Sequence, residues 1–195
     1  MLVLASSSAA RHAMLTAAGV SFVVDVPRVD EDAAKMAFRS RGLSARDLAD
    51  ALAELKAMRM SAKRPGDIVL GCDQTLIIND GTMLDKPGDH LAAHLRTLAG
   101  RSHTLFSAVV AVENGQPIWR HVEKATLTMR DLSDSFIEDY VAREGANVVG
   151  CLGGYRIEGF GAQLFSKIEG SHFTILGLPP LPLLNWLRLR GELTS

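Results

Sequence analysis

Asp73 follows a continuous apolar run, Ile68-Val69-Leu70-Gly71-Cys72, which is the pattern of a strand buried on both faces. A carboxylate at the exit of such a strand stands where α/β folds usually bind ligands. It can hold Mg²⁺ or take a proton from water; the plain alternative is an aspartate capping the next turn. Glu31, in the acidic stretch Asp30-Glu31-Asp32, offers a second metal oxygen or simply a solvated loop charge. Cations of the kind a phosphate tail needs also occur. Ser6-Ser7-Ser8-Ala9-Ala10-Arg11 places hydroxyls and a guanidinium where a strand turns into a helix, whose free N–H groups and dipole attract phosphate. Read alone, a serine cap with a solvated arginine is the commoner arrangement. Lys56 lies on a segment of helical periodicity, and Lys86 beside the stiff Asp85-Lys86-Pro87 turn; each suits a phosphate or an ordinary surface charge. Gly153 to Gly161 holds four glycines around Glu158, either a loop that lets backbone approach a ligand or a flexible hairpin.

These side chains need elements to hold them. Leu2 to Ala5 reads as a strand, the serines as a turn and cap, and Ala13 to Ala18 as a helix stopped by Gly19. Phe22 to Val24 predicts a second strand that leads into the acidic loop. Leu48, Leu52, Leu55 and Met58 place an amphipathic helix over Ser44 to Met60. Asn79-Asp80-Gly81 predicts a hairpin reaching Leu84, and Asp89 to Leu98 a short helix. Asn114-Gly115 predicts a second hairpin, between His103–Val112 and Ile118–Met129. Ser133 caps a further helix, Leu164 to Leu178 suggests two strands around Gly170, and Pro179 to Leu189 closes the chain as a helix. Irregular alternation with frequent hairpins implies a mixed sheet in an α/β fold. Residues 1–195 are expected to form a single domain.

The chain has 195 residues, with 47% hydrophobic and 22% charged, the balance of a globular protein with a real core. Its net charge of −1 gives no broad footprint for nucleic acid, while a few convergent cations would still suffice for one small anion. Cys72 and Cys151 form no C-x-x-C pair and read as buried, reduced thiols. Neither a signal peptide nor an apolar run long enough to cross a membrane is evident, so a cytoplasmic protein without a membrane partner is expected. G-x-S-x-G and H-E-x-x-H are absent. The six histidines show no zinc-like pairing, and His90 and His94, four apart, read as a surface feature.

Taken together, these segments resemble the Maf-like nucleotide pyrophosphatases over nearly the whole chain. The resemblance rests on Leu4-Ala5-Ser6-Ser7-Ser8-Ala9-Ala10-Arg11, Val29-Asp30-Glu31, Leu52-Ala53-Glu54-Leu55-Lys56-Ala57, Gly71-Cys72-Asp73-Gln74 and Asp85-Lys86-Pro87. It continues through Leu98 to His103, Gly154-Tyr155-Arg156-Ile157-Glu158-Gly159, Ile168-Glu169-Gly170 and Gly177-Leu178-Pro179. Each piece is short; their order and spacing are what is specific. The resemblance implies hydrolysis of a nucleoside triphosphate to the monophosphate and pyrophosphate by attack at the α-phosphate. It implies Asp73 as general base and metal contact, Glu31 as its companion carboxylate, and Ser6, Ser8, Arg11, Lys56 and Lys86 as the triphosphate-binding set. It also implies a divalent ion, Mg²⁺ or Mn²⁺, a homodimer, and an elongated mixed α/β fold of the Maf and inosine-triphosphatase type with two lobes around a deep cleft.

The resemblance also bears on the base. In the family's pyrimidine-preferring branch the positions of Ala10, Gln74 and Glu158 are usually Arg, Thr and Gln. In the branch resembling 7-methyl-GTP pyrophosphatases they are an aromatic residue, Gln and Glu. This chain agrees with the second branch at Gln74 and Glu158 and with neither at Ala10. An ionised carboxylate accepts from both N1–H and the amine of guanine, whereas uracil or thymine suits an amide. The expected substrate is therefore a nucleotide like 7-methyl-GTP, with dTTP or UTP as the alternative. A nucleotide-binding regulator of cell division without turnover would not need Asp73 and Glu31, and a protein-interaction module would need an exposed apolar stripe that the sequence does not show.

Overall fold

Four residues, Leu2–Ala5, open the chain as a strand (β1), and Ser8 starts the first helix, α1 (Ala9–Ala17), its hydroxyl accepting from the backbone N–H of Arg11. The computed structural model describes residues 1–194. There follow β2 (Val23–Val24), α2 (Glu31–Ser40), α3 (Ala45–Ser61), β3 (Ile68–Ile78), β4 (Met83–Leu84) and α4 (Leu91–Leu98). The chain continues through β5 (Ser102–Glu113), β6 (Gln116–Met129), α5 (Asp134–Val148), β7 (Phe165–Glu169), α6 (His172–Ile175) and α7 (Pro180–Leu189). The strands form one seven-stranded mixed sheet in the order β2-β1-β3-β5-β6-β7, with β4 paired to β3. This is the mixed α/β class that the irregular alternation of elements implied. Among the described residues no helix is long and apolar enough to cross a membrane.

By its internal contacts the chain divides into two compact units. The first comprises Met1–Gln74, Phe106–Glu123 and the stretch from Ser171. In it β1 runs parallel to β2 and to β3, with Leu2 opposite Ile68 and Ala5 opposite Gly71. Alternate residues feed two apolar layers, because successive side chains of a strand point to opposite faces. Leu2, Leu4, Ile68, Leu70 and Cys72 join Leu15 of α1 and Leu183 and Leu187 of α7. Val3, Ala5 and Val69 join Ala49, Ala53, Ala57 and Met60 of α3. The alanines recur every four residues and give α3 a flat face. Against that face lies Gly71, where an added Cβ would stand 2.0 Å from the Ala53 carbonyl oxygen and 2.7 Å from the Ala57 nitrogen. Asn114 and Gly115 take φ of 48° and 72°, the doubly positive turn that an Asn-Gly hairpin requires.

The second unit comprises Thr75–Leu105 and Lys124–Gly170. Here β4 is antiparallel to β3 and β7 is antiparallel to β6. Tyr140 of α5 is fully buried and donates its hydroxyl to the Gly154 carbonyl at 3.2 Å. Gly154 has φ of +73°, and a Cβ there would stand 2.4 Å from a methyl of Leu91. The lost side chain thus makes room for a neighbour within the unit, not for a flexible hairpin. His103, 1% exposed, has its Nε2 2.6 Å from the Tyr155 hydroxyl, and Nδ1 without a hydrogen-bond partner.

Several expectations need correction. The acidic stretch is not a loop: Asp30 caps α2, and Glu31 is its first residue. All ten residues of α2 are partly or fully exposed, and the acidic Asp30-Glu31-Asp32 at its start masked the helical spacing of Ala33, Ala34, Ala37 and Phe38. The strand expected to end at Cys72 continues to Ile78, which puts Asp73 in its interior and not at its exit. Only β7 forms in the region read as two strands around Gly170; Ser171 instead leads into the helical turn α6. His94 is half-buried, not a surface feature, and Cys151 is half-buried where full burial was expected.

Two outcomes follow. Gly71→Ala should cost about 3 kcal/mol, the upper end of ordinary overpacking, since the obstacle is helix backbone. Denaturant unfolding of the variant measures this; wild-type stability would show that α3 can stand further from β3. The second concerns pH. Burial first, and then nearby His94, hold the His103 pKa down from 6.5 to about 4. Because the fold favours neutral imidazole, His103's contribution is whole above pH 6.5 and is lost as pH falls toward 4, up to about 3 kcal/mol. Urea midpoints from pH 7 to 4 should therefore fall less steeply in His103→Gln. Equal slopes would remove His103 as their cause.

Candidate active site

Lys56 is the side chain on which two carboxylates of the first unit, Glu31 and Asp73, converge. Its ammonium lies 2.9 Å from Glu31 Oε1 and 3.0 Å from Asp73 Oδ2. Helix α3 delivers Lys56 because Ala53 and Ala57 seat that helix on Gly71. Asp73, two residues beyond Gly71, shares its face of β3. The Lys56 and Asp73 side chains are each 10% exposed, and that of Glu31 is 43% exposed. Asp73 Oδ1 accepts from the Gln74 N–H at 2.6 Å. Oδ2 is buried and lacks an aligned hydrogen bond, so its link to Lys56 is an ionic contact off the hydrogen-bond direction.

Beside this trio stands a second constellation. Arg11 is buried, donating from Nε to the Gly177 carbonyl at 2.8 Å and from Nη1 to the Cys72 carbonyl at 3.0 Å and Ser6 Oγ at 3.2 Å. Ser6 Oγ also accepts from the Ser8 N–H at 3.3 Å, and Ser8 Oγ from the Arg11 N–H at 3.4 Å. The serine turn is thereby drawn tight over the first turn of α1, where Ala10 is half-buried. Cys72 lies between the two constellations. Burial pushes its thiol up to about 11, with Arg11 and Lys56 pulling it down and Asp73 pushing it further up. That thiol is a poor nucleophile.

Gln74 is anchored. Its amide nitrogen stands 2.9 Å from Ser107 Oγ, 3.0 Å from the Thr174 carbonyl and 3.1 Å from the Ile175 carbonyl. Ser107 in turn donates to the Thr174 carbonyl at 2.7 Å. Lys86 and Glu158 belong to the second unit, and both are exposed. They share a neighbourhood at Cys151: burial raises that thiol's pKa, Arg156 and Lys86 lower it, and Glu158 raises it.

The structure thus brings Ser6, Ser8, Arg11, Glu31, Lys56, Asp73 and Gln74 together in the first unit, and Lys86 with Glu158 in the second. The bland readings of Arg11 as solvated and Lys56 as a surface charge do not hold. Sequence reasoning missed Ser107 and the carbonyls of Cys72, Gly177 and Thr174, all of them positioning groups. Backbone acceptors carry no residue-type signal. Among the described residues no group of three or more His, Cys, Asp or Glu side chains is placed to hold a metal. The Glu31 and Asp73 pair still has suitable chemistry, because hard divalent ions take carboxylate oxygens and complete their shells with water and phosphate. Their convergence on one ammonium shows that both oxygens can serve a single cation.

A family model described as Maf-like protein matches residues 1–190. A relative named nucleoside triphosphate pyrophosphatase, from Hyphomonas neptunium, is 52% identical over 98% of this chain and 97% of its own length. Another of that name, from Ruegeria pomeroyi, is 50% identical over 100% of this chain and 98% of its own. Among solved structures, a nucleoside-triphosphatase/dITP/XTP pyrophosphatase from Mycobacterium abscessus is similar at 16% identity with a TM-score of 0.43, covering 98% of this chain and 94% of that one. A likeness that loose bears on nothing further.

Proposed function

The chain belongs to the Maf-like protein family, and from that premise we propose that it is a nucleoside triphosphate pyrophosphatase. It is a hydrolase of nucleotide anhydride bonds. The observation that carries the reading is the buried Lys56 ammonium held between Glu31 and Asp73, beside the serine turn and Arg11. This arrangement suits the chemistry of an anionic tail. Ser6, Ser8 and the helix N-terminus offer donors to phosphate oxygens. Arg11 spends Nε and Nη1 within the chain, which leaves Nη2 for the substrate. Lys56 and Lys86 complete the phosphate-binding set.

In the proposed reaction a water oxygen attacks the α-phosphorus, and its proton passes to Asp73. The bond from that phosphorus to the bridging oxygen breaks, and pyrophosphate leaves with the bond's electrons. Glu31 and Asp73 would hold Mg²⁺ or Mn²⁺. Such an ion offsets the charge of the triphosphate and makes a bound water more acidic. Asp73 suits the role of base because one of its oxygens lacks an aligned hydrogen bond.

Glu158 is assigned to the base, with a guanine-type nucleotide such as 7-methyl-GTP as the preferred substrate. Its exposed carboxylate is free of internal hydrogen-bond duties among the described contacts. Gln74 would contribute through its carbonyl oxygen, since its nitrogen is already engaged. Ala10 offers no stacking surface, so recognition rests on hydrogen bonding. The working enzyme is taken as a cytoplasmic homodimer acting as one domain over residues 1–195, without nucleic-acid or membrane partners. The near-neutral charge supports the absence of a nucleic-acid partner.

Asp73→Asn should lower kcat by at least about a hundredfold with nucleotide binding retained, and excess EDTA should stop turnover in the wild type. Product release assayed by chromatography decides both; wild-type rates in the variant would remove Asp73 from the chemistry. Glu158→Gln should weaken kcat/KM for guanine nucleotides by roughly five- to 150-fold relative to UTP and dTTP, because a mismatched buried polar pair costs about 1–3 kcal/mol. An equal fall for purines and pyrimidines would mean that Glu158 does not read the base.

A further inference from the structure

Two oxygens that would hold a divalent ion are already occupied by an ammonium. Lys56 Nζ contacts Glu31 Oε1 at 2.9 Å and Asp73 Oδ2 at 3.0 Å, within the span where an ion bound to both carboxylates would sit. We infer that Lys56 is a built-in counter-cation that keeps the free metal out of the site until the triphosphate draws the ammonium away. This inference rests on the metal-dependent reading above and assigns a further role to one of its residues.

The argument is electrostatic and steric. A carboxylate as buried as Asp73 is costly to leave without a partner, so some cation must attend it at all times. In the free protein that cation is Lys56. A divalent ion such as Mg²⁺ binding the same oxygens at roughly 2.0–2.1 Å would stand within a few ångströms of the ammonium and be repelled by it. Lys56 cannot withdraw with its helix, because Ala53 and Ala57 lock α3 against Gly71. Only its flexible side chain can turn, and it needs a new anion to turn to. Phosphate oxygens of the substrate are such an anion. Glu31 is the adaptable side of the pair, half-exposed on a helix with no buried residue. The site therefore completes itself in the presence of nucleotide, and bare metal binds weakly.

The test is to titrate Mn²⁺ alone into the full-length protein, following free Mn²⁺ by electron paramagnetic resonance. Lys56→Met should bind Mn²⁺ about thirtyfold more tightly than the wild type, the effect of removing a unit charge some 4 Å from a divalent ion even under full water screening. Lys56→Arg, which keeps the charge, should stay weak, and Asp73→Asn added to Lys56→Met should abolish the gain. If Lys56→Met does not fold alone, Lys56→Gln is titrated in its place, and its melting temperature should rise with Mn²⁺ more than that of the wild type. Unchanged Mn²⁺ affinity in the neutral variants, or tight binding in Lys56→Arg, overturns the inference. If EDTA still stops wild-type turnover in that case, the metal-dependent function stands and only the role of Lys56 falls. Turnover that persists in EDTA removes both.

Discussion

The Lys56–Asp73 pair of the first unit is positioned by a contact between two backbones. Gly71 of β3 meets α3 where a methyl group would stand 2.0 Å from a carbonyl oxygen, and Ala49, Ala53 and Ala57 keep the helix face flat. A strand and a helix with ordinary side chains between them stand further apart. Here the spacing is short enough for a lysine beside Ala57 to reach a carboxylate two residues past Gly71. The Lys56–Asp73 pair is thus a product of apolar packing, and its charges add little to the reason the helix sits where it does. A buried ion pair is weak evidence for stability, and its value lies in orientation.

Arg11 applies a complementary constraint. Its guanidinium is buried without a carboxylate partner and is neutralised only by dipoles: two backbone carbonyls and a serine hydroxyl. Hydrogen bonding to carbonyls satisfies the donors but leaves the positive charge uncancelled. The result is a local positive field in a chain whose net charge is −1. A carboxylate at the same spot would have cancelled that field and made the serine turn a mere structural knot. The anchoring of Gln74 by Ser107 and two carbonyls follows the same economy, with rigidity supplied by neutral groups.

Much of this was legible in residue order. The strand–serine–helix opening, the Asn-Gly hairpin and the apolar period of α3 each rest on a local rule, and each local rule held. Ser6, Ser8, Arg11, Lys56, Asp73 and Glu31 were legible as a set only through the family resemblance, because each residue type taken singly fits a cap or a surface charge at least as well. What escaped was whatever depends on distant chain. Helix α2 carries a helical period in Ala33, Ala34, Ala37 and Phe38, but it buries nothing fully and opens on three acidic residues of the kind a solvated loop carries. β3 runs past Asp73 because polar Asp73, Gln74 and Thr75 are accommodated in its interior, which composition alone reads as an end. The turn after Gly170 forms α6 where alternation had suggested a strand. The burial of Arg11 needed acceptors from residues 72 and 177, and no window of sequence contains all three.

That last separation has a temporal side. Chains are made from the amino terminus, and early segments begin to organise before later ones exist. The serine turn and α1 lie among the first residues synthesised, yet the guanidinium that tightens them takes its shortest bond from the carbonyl of Gly177, 166 positions downstream. Until that segment arrives, a nascent chain holds a cation with an acceptor missing and a turn still slack. The serine turn with its buried guanidinium is therefore among the last parts to set, although its residues are among the first to be made. A prematurely terminated product would carry the serine motif without the Gly177 clamp.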